Sequence, residues 1–129
     1  MNEQKKKKLI LVVEDDSFLL QMYATKLEKA GFEVKSAVDG TQGFKKAKDV
    51  HPDLILLDLV MPSMDGFKVL EELKVNSETQ SIPVIILSNL SEREDVQKCL
   101  QLGAVDYIIK AHFVPSEVIN KIEQLISSN

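Results

Sequence analysis

The 129-residue sequence is poor in cysteine and contains no long apolar run. Its single cysteine, Cys99, has no partner for an internal disulfide, which is consistent with a reducing compartment and predicts a cytoplasmic protein. The apolar stretch after the N-terminal lysines is short and runs into three acidic residues, so it does not fit a signal peptide. No segment approaches the roughly 20 apolar residues of a membrane-spanning helix, and we expect no membrane partner.

Glycine is also scarce, and no glycine-rich loop follows the first strand-like segment. Loops that bind nucleotide phosphates are rich in glycine and hydroxyl groups, whereas this position carries Glu14, Asp15 and Asp16. Three acids would repel a phosphate group unless a metal ion intervened. The sequence therefore disfavours a flavodoxin-like nucleotide binder.

The charge balance is mildly acidic, because 16 basic and 20 acidic residues leave a net charge of -4. This balance argues against nucleic acid as a direct partner, so we expect the partners to be proteins. The lysines at positions 5–8 are interpreted as a solubilising flank, and residues 1–8 are predicted to form a flexible basic tail. No low-complexity linker interrupts the chain, so residues 1–129 are predicted to form a single domain without an effector domain.

Strand-like and helix-like patterns alternate along the chain. Short apolar runs predict strands at residues 9–13, 33–37, 54–57, 84–87 and 105–109. Apolar residues at helical spacing predict helices at residues 17–30, 40–49, 66–75, 92–102 and 115–126. Because parallel strands need crossover connections, this alternation predicts an α/β fold, a doubly wound parallel sheet of five strands with five helices on both faces.

Local signals mark several helix ends. Asp16 and Asp65 are predicted to begin the helices that follow them, and Gly31 is predicted to end the first helix in the left-handed conformation. In that helix, the spacing of Phe18, Leu27 and their apolar neighbours predicts one buried face.

Charged and hydroxyl side chains stand directly after four of the predicted strands. Glu14 and Asp15 follow the first strand, Asp58 the third, Ser88 the fourth and Lys110 the fifth. Ligands of open α/β sheets bind outside the carboxyl ends of the strands, near a topological switch point. We therefore expect these groups to converge on one site, suited to a divalent metal ion and a phosphoryl group.

Four motifs stand in register on these strands: an acidic pair, D-x-x-M-P-x-M-D-G, a strand-ending serine, and Y-x-x-K. They are found here at Glu14 and Asp15, Asp58 to Gly66, Ser88, and Tyr107 to Lys110. Together they resemble the receiver domain of two-component response regulators, in its single-domain chemotaxis form, over essentially the whole chain. The resemblance implies a flavodoxin-like fold with strand order 2-1-3-4-5 and a stand-alone receiver that acts in phosphorelay signalling.

The resemblance implies that Asp58 is the phosphoacceptor, which takes a phosphoryl group from the phosphohistidine of a sensor histidine kinase or a histidine phosphotransfer protein. The cofactor would be Mg²⁺ or Mn²⁺, which reduces the repulsion between carboxylate and phosphoryl group. Lys110 would pair with Asp58 and then contact a phosphoryl oxygen, and Ser88 would donate its hydroxyl to that group. The implied metal ligands are Asp15, Asp58, the backbone carbonyl of Val60 and, through a water, Glu14.

The resemblance also implies a switch rather than a conventional enzyme, because the chain would only assist its own phosphorylation and dephosphorylation. Ser88 and Tyr107 would be the switch residues. The face formed by the fourth helix, fifth strand and fifth helix would change and bind an unknown protein target; it is predicted to include Cys99, Gln101, Tyr107 and Ile108. The chain is expected to be a monomer or a phosphorylation-dependent dimer.

Some positions depart from the family pattern. Ala111 replaces the usual proline after Lys110, and because a cis bond before alanine costs about 2.5–4 kcal/mol, we expect a trans bond or a strained loop there. Asn89 replaces a small residue beside the site, where it would slow access or add a hydrogen bond. The apolar residues Val60 and Leu90 suggest slow dephosphorylation.

Two other functions are weighed against this one. The alternative is a receiver-like module that docks protein partners without phosphorylation, which the departures at Asn89 and Ala111 support and the complete site opposes. A phosphatase of the haloacid-dehalogenase type also uses an aspartyl nucleophile. It is disfavoured because it needs a second acid two residues later, where this chain has Val60.

Overall fold

The computed structural model describes residues 7–61 and 65–126. Positions 1–6 of the predicted tail, and Pro62 and Met64 of the loop motif, lie outside the described residues. None of the described helices is long and apolar enough to cross a membrane. The strands are β1 (Leu9–Val13), β2 (Glu33–Ala37), β3 (Leu54–Leu57), β4 (Val84–Ser88) and β5 (Asp106–Ile109). The helices are α1 (Ser17–Lys29), α2 (Gly40–Val50), α3 (Gly66–Val75), α4 (Arg93–Gln101) and α5 (Pro115–Leu125), and a short 3-10 helix, Lys110–His112, precedes α5.

The strands form a five-stranded parallel sheet in the order β2-β1-β3-β4-β5, which confirms the predicted topology. The order reverses at β1 and β3, which lie side by side at the centre. Val13 and Leu57 are partners at the ends of these strands, and the Asp58 N–H donates to the Val13 carbonyl oxygen at 3.1 Å. This register places the residues that follow Val13 and Leu57 beside each other at the carboxyl edge of the sheet.

Alternate residues of the central strands pack against opposite layers of helices. Leu11 and Val13 of β1 belong to the core that also contains residues of α2, α3 and α4. Ile10 and Val12 belong to the core shared with α1 and α5. The strands β3 and β4 are buried throughout, as is typical of parallel strands covered on both faces. The sheet edge that carries the polar residues is therefore held between two packed layers.

Side-chain caps and a left-handed glycine set the helix ends. The Asp16 carboxylate accepts a hydrogen bond from the Phe18 N–H at 2.9 Å. The Asp65 carboxylate accepts one from the Phe67 N–H, also at 2.9 Å. Gly31, with φ of 101°, follows α1. The predicted starts of α1 and α3 and the predicted end of α1 are thereby confirmed.

Gly66 lets α3 begin directly against the loop that follows β3. A Cβ atom at this position would lie 2.3 Å from Leu59 Cα and 2.7 Å from the Leu59 carbonyl oxygen. That same oxygen accepts a hydrogen bond from the Gly66 N–H at 3.0 Å. Because backbone atoms cannot turn aside, any side chain here would push the start of α3 away from the segment that contains Asp58.

Three expectations about exposure are wrong. Phe18 is 77% exposed, because it lies five positions before Tyr23 and so falls outside the buried stripe of α1 that Tyr23 and Leu27 share. Cys99 and Ile108 were predicted to lie on the exposed face, but both are fully buried. They are inward-facing residues of α4 and β5 and belong to the two cores.

Candidate functional site

Four strand ends border an open cleft of about 400 Å³ at the carboxyl edge of the sheet. The cleft lies where the strand order reverses between β1 and β3, as expected for ligand sites of open α/β sheets. Acidic, basic, apolar and neutral polar side chains meet there. The lining residues are Glu14, Asp15, Asp16, Leu19, Asp58, Val60, Asn89, Leu90 and Lys110.

Three carboxylates converge in this cleft. Glu14 and Asp15 follow β1, Asp58 follows β3, and one oxygen of each lies within 4.8 Å of the others. Glu14 and Asp58 are only 3% and 6% exposed, whereas Asp15 is exposed to solvent. Lys110, which follows β5, forms ion pairs with both buried carboxylates. The structure thus brings together the charged residues that the sequence assigned to one site.

Lys110 lies closer to Glu14 than to Asp58. Its ammonium nitrogen is 2.8 Å from Glu14 Oε1 and 3.5 Å from Asp58 Oδ2. The sequence predicted the pairing with Asp58 but not the shorter one with Glu14, because motif spacing does not rank two carboxylates at neighbouring strand ends. The other oxygens accept backbone hydrogen bonds: Glu14 Oε2 from the Asp16 N–H at 3.1 Å, and Asp58 Oδ1 from the Val60 N–H at 3.3 Å.

The pKa values of the cluster reflect its burial. Burial raises the pKa of Glu14 and the pKa of Asp58 above their ordinary values, against the opposing effect of Lys110. For Lys110, burial alone would lower the pKa, but the hydrogen bond to Glu14 and the charge of Asp58 outweigh it and raise the pKa. Lys110 is therefore charged at neutral pH, and one ammonium group faces three carboxyl groups.

The donor set of the cluster fits a divalent cation. Hard cations such as Mg²⁺ are bound by carboxylate and carbonyl oxygens, and the carboxyl groups here outnumber the ammonium group that neutralises them. Asp15 forms no ion pair with any residue that the structure describes. The side chains of Asp15, Asp58 and Glu14 are those that could hold the ion.

Leu90 links Ser88 to Tyr107 beside the cleft through its backbone N–H and carbonyl groups. Ser88 is fully buried, and its Oγ accepts a hydrogen bond from the Leu90 N–H at 3.2 Å. The Tyr107 hydroxyl donates to the Leu90 carbonyl oxygen at 2.6 Å. Burial raises the pKa of Tyr107 to about 12, although the nearby Ser88 hydroxyl opposes this shift. A displacement of Ser88 would therefore act on Tyr107 through Leu90.

The structure adds detail to the borders of the cleft. Leu19 lines it but was not predicted as a site residue. Its position in the first turn of α1, the helix that begins directly after the acidic residues, is the signal that could have identified it. On the opposite border, the Lys110–Ala111 bond is trans, since no peptide bond within residues 7–61 and 65–126 is cis. Of the two alternatives expected after Lys110, a trans bond or a strained loop, the trans bond is confirmed.

Sequence comparison relates the chain to a protein family. The family model described as the response regulator receiver domain matches residues 10–123. The "Probable transcriptional regulator ycf27" of Porphyridium aerugineum is 38% identical over 120 residues, which are 93% of this chain and 48% of the relative. The "DNA-binding dual master transcriptional regulator RpaA" of Synechocystis is 37% identical over 117 residues, 91% of this chain and 48% of the relative. The chain thus spans about half the length of these curated relatives.

Solved structures show the same fold. The chemotaxis protein CheY4 of Vibrio cholerae superposes with a TM-score of 0.87 at 27% identity, covering 94% of this chain and 100% of CheY4. The receiver domain of the sensor histidine kinase PA1611 from Pseudomonas aeruginosa gives a TM-score of 0.84 at 28% identity. The match covers 95% of this chain and 100% of the PA1611 domain. The latter structure is described as having a magnesium ion coordinated in its active site cleft.

The comparisons correct one expectation about partners. The net charge of -4 argued against nucleic acid as a direct partner, yet the relative RpaA and several relatives called MtrA are named as DNA-binding regulators. The expectation is therefore wrong. The net charge was taken over a segment about half as long as these relatives, and it carries no information about what the rest of such a regulator binds.

The charge imbalance predicts that Asp58→Asn stabilises the metal-free protein at neutral pH, by about 1 kcal/mol. The change removes one buried carboxylate and leaves Lys110 with its closer partner, Glu14. A carboxyl group whose pKa is raised by folding stabilises the fold below its ordinary pKa and loses that contribution as the pH rises through the raised pKa. The gain in unfolding free energy from Asp58→Asn should therefore shrink as the pH falls from the raised pKa of Asp58 toward its ordinary pKa.

Urea unfolding without divalent cations, followed by circular dichroism at neutral and acidic pH, measures this effect. The control is Asp39→Asn at the N-cap of α2, where asparagine caps as well as aspartate and a change below about 0.5 kcal/mol is expected. An unfolding free energy of Asp58→Asn below that of wild type at neutral pH would contradict the prediction that the excess of carboxyl groups destabilises the metal-free protein.

Proposed function

The chain belongs to the response regulator receiver family of two-component systems, and on that premise we propose that it accepts a phosphoryl group on Asp58 from a phosphohistidine donor. The observation that carries the proposal is the cluster itself. A buried carboxylate at the end of β3 faces an ammonium group and two further carboxylates across an open cleft. Members of this family bind a divalent metal at such an acidic pocket and act as phosphoacceptor switches.

Asp58 is the proposed nucleophile of the transfer. A carboxylate oxygen of Asp58 bonds to phosphorus while the bond from phosphorus to the donor imidazole nitrogen breaks, and that nitrogen keeps the electron pair. Asp58 Oδ1 is held by the Val60 N–H and Oδ2 faces Lys110, so the carboxylate has a fixed orientation toward the cleft. The product is an acyl phosphate on a strand end rather than on a mobile loop.

The proposed metal ion is Mg²⁺, with Asp15, Asp58 and the Val60 backbone carbonyl as ligands and Glu14 acting through a water. When bound, it would neutralise the repulsion between the carboxylate and the phosphoryl oxygens and orient both. The short ion pair between Glu14 and Lys110 supports an indirect part for Glu14, because one of its oxygens is already occupied. Lys110 can keep this partner while its ammonium group contacts a phosphoryl oxygen as a point charge.

The proposed signal leaves the site through Ser88 and Tyr107. Phosphoryl oxygens offer the buried Ser88 hydroxyl a charged acceptor. Once Ser88 turns toward that acceptor, its hydrogen bond with the Leu90 N–H is lost, and the contact of Tyr107 with the Leu90 carbonyl oxygen is free to change. The surface formed by α4, β5 and α5 would change with it, which alters partner binding through a shift between two states.

Two narrower predictions stay predictions. One is that the chain acts as a stand-alone receiver over residues 1–129, since the curated relatives are longer than the segment they share with it. The other is that its catalysis extends no further than its own phosphorylation and dephosphorylation.

Intact-mass spectrometry tests the phosphoacceptor. Wild-type protein incubated with Mg²⁺ and phosphoramidate is expected to gain the mass of one phosphoryl group, and Asp58→Asn is expected to gain none. Asp65→Asn is the matched control, because Asp65 lies in the same motif but caps α3 outside the cleft; it should be labelled like wild type. No labelling of folded wild-type protein would favour a docking module that works without phosphorylation, and labelling of Asp58→Asn would show another acceptor.

Fluorine NMR tests the switch. The chain has two tyrosines, Tyr23 and Tyr107, so 3-fluorotyrosine gives two resonances, which Tyr23→Phe assigns. Magnesium with beryllofluoride, a mimic of the phosphoryl group, is expected to move the Tyr107 resonance in wild type and to move it much less in Ser88→Ala. An equal displacement in both proteins would show that Tyr107 responds without Ser88.

A further inference from the structure

Asn89 is the first residue after β4, and it lines the cleft together with Asp58 and Lys110. Its side chain is exposed, and its carboxamide forms no hydrogen bond with any residue in the described part of the chain. A polar group that lines a cleft without a protein partner is available to a ligand that enters it.

The backbone on both sides of Asn89 is anchored. Ser88 is fully buried and its Oγ accepts a hydrogen bond from the Leu90 N–H. The Leu90 carbonyl oxygen accepts the hydroxyl hydrogen of Tyr107. The backbone at Asn89 is therefore held by its two neighbours, which keeps this residue at the border of the cleft.

Hydrogen-bond donors are rare among the side chains that line this cleft. Four of the lining residues are acids and three are apolar, so that only two lining side chains carry an N–H donor: Lys110 and Asn89. The Lys110 ammonium group is already shared between Glu14 and Asp58. A phosphoryl group on Asp58 would bring several strong acceptor oxygens into the cleft. Each can accept more than one hydrogen bond, so acceptor positions remain beyond the contacts proposed for Lys110, Ser88 and the metal ion.

We propose that the carboxamide of Asn89 donates an N–H hydrogen bond to a phosphoryl oxygen on Asp58 and so strengthens the hold of the cleft on that group. The proposal rests on the proposed function and deepens it by adding a phosphoryl-binding residue. The anionic oxygens decide which end of the amide turns inward, because they attract its N–H groups and repel its carbonyl oxygen. A steric effect would act against this hydrogen bond, because the Asn89 side chain also narrows the entrance of the cleft. A side chain that acted as a barrier alone would weaken binding, whereas a donor strengthens it.

Calorimetric titration of beryllofluoride in the presence of saturating Mg²⁺ separates these two effects. The variants are Asn89→Ala, which removes the carboxamide, and Asn89→Leu, which keeps the branched shape of the side chain, with somewhat more bulk, but has no hydrogen-bonding groups. Both are expected to bind beryllofluoride about tenfold more weakly than wild type, as for the loss of an exposed hydrogen bond to a charged group. Mg²⁺ affinity without beryllofluoride should be unchanged, because the side chains that could hold the ion, those of Glu14, Asp15 and Asp58, are the same in both variants.

The outcomes distinguish this inference from the function on which it rests. Binding by Asn89→Ala that equals or exceeds wild type would overturn the inference and show that Asn89 is only a barrier. Binding by Asn89→Leu that equals wild type would overturn it as well. Failure of folded wild-type protein to bind beryllofluoride would overturn the proposed function, and the inference with it. Asn89 is exposed, so both variants are expected to fold, which thermal unfolding verifies.

Discussion

The unequal count of carboxyl and ammonium groups at one edge of a covered sheet is the constraint on which the site depends. Glu14 and Asp58 are buried there, Asp15 is exposed beside them, and Lys110 is their shared cation. Burial raises the pKa of both buried carboxyl groups, which means that their charged forms are held at a cost. A second cation would relieve this cost, and a phosphoryl group could then approach a carboxylate that would otherwise repel it.

The rest of the fold keeps this arrangement in place. The pairing of Val13 with Leu57 puts the acids of β1 and β3 side by side, and helices on both faces prevent the strands from moving apart. Gly66 brings the start of α3 into contact with the loop after Asp58, so the nucleophile segment is supported from both ends. Strain at such a site is offset by the two cores, which explains how buried like charges persist in a stable domain.

The sequence predicted the features that depend on local pattern and on strand order. Apolar runs located the strands, and aspartates such as Asp16 located helix starts, because each signal acts over a few residues. Contacts between distant elements were harder. The shorter pairing of Lys110 with Glu14 depends on the exact path of the chain beyond β5, and the exposure of Phe18 depends on which stripe of α1 faces the sheet. The net charge led to a wrong prediction about nucleic acid as a partner, because it averages over the whole surface and carries no information about segments outside the one that the relatives share.

The measurement that tests the central claim most directly is the unfolding free energy of wild type and Asp58→Asn with and without saturating Mg²⁺. If the cation relieves the repulsion among the carboxylates, Mg²⁺ should stabilise wild type more than the variant. The advantage of Asp58→Asn would then narrow or reverse, since a ligand stabilises the fold according to its affinity. A difference between the two proteins that is the same with and without Mg²⁺ would show that the charge of Asp58 does not contribute to cation binding.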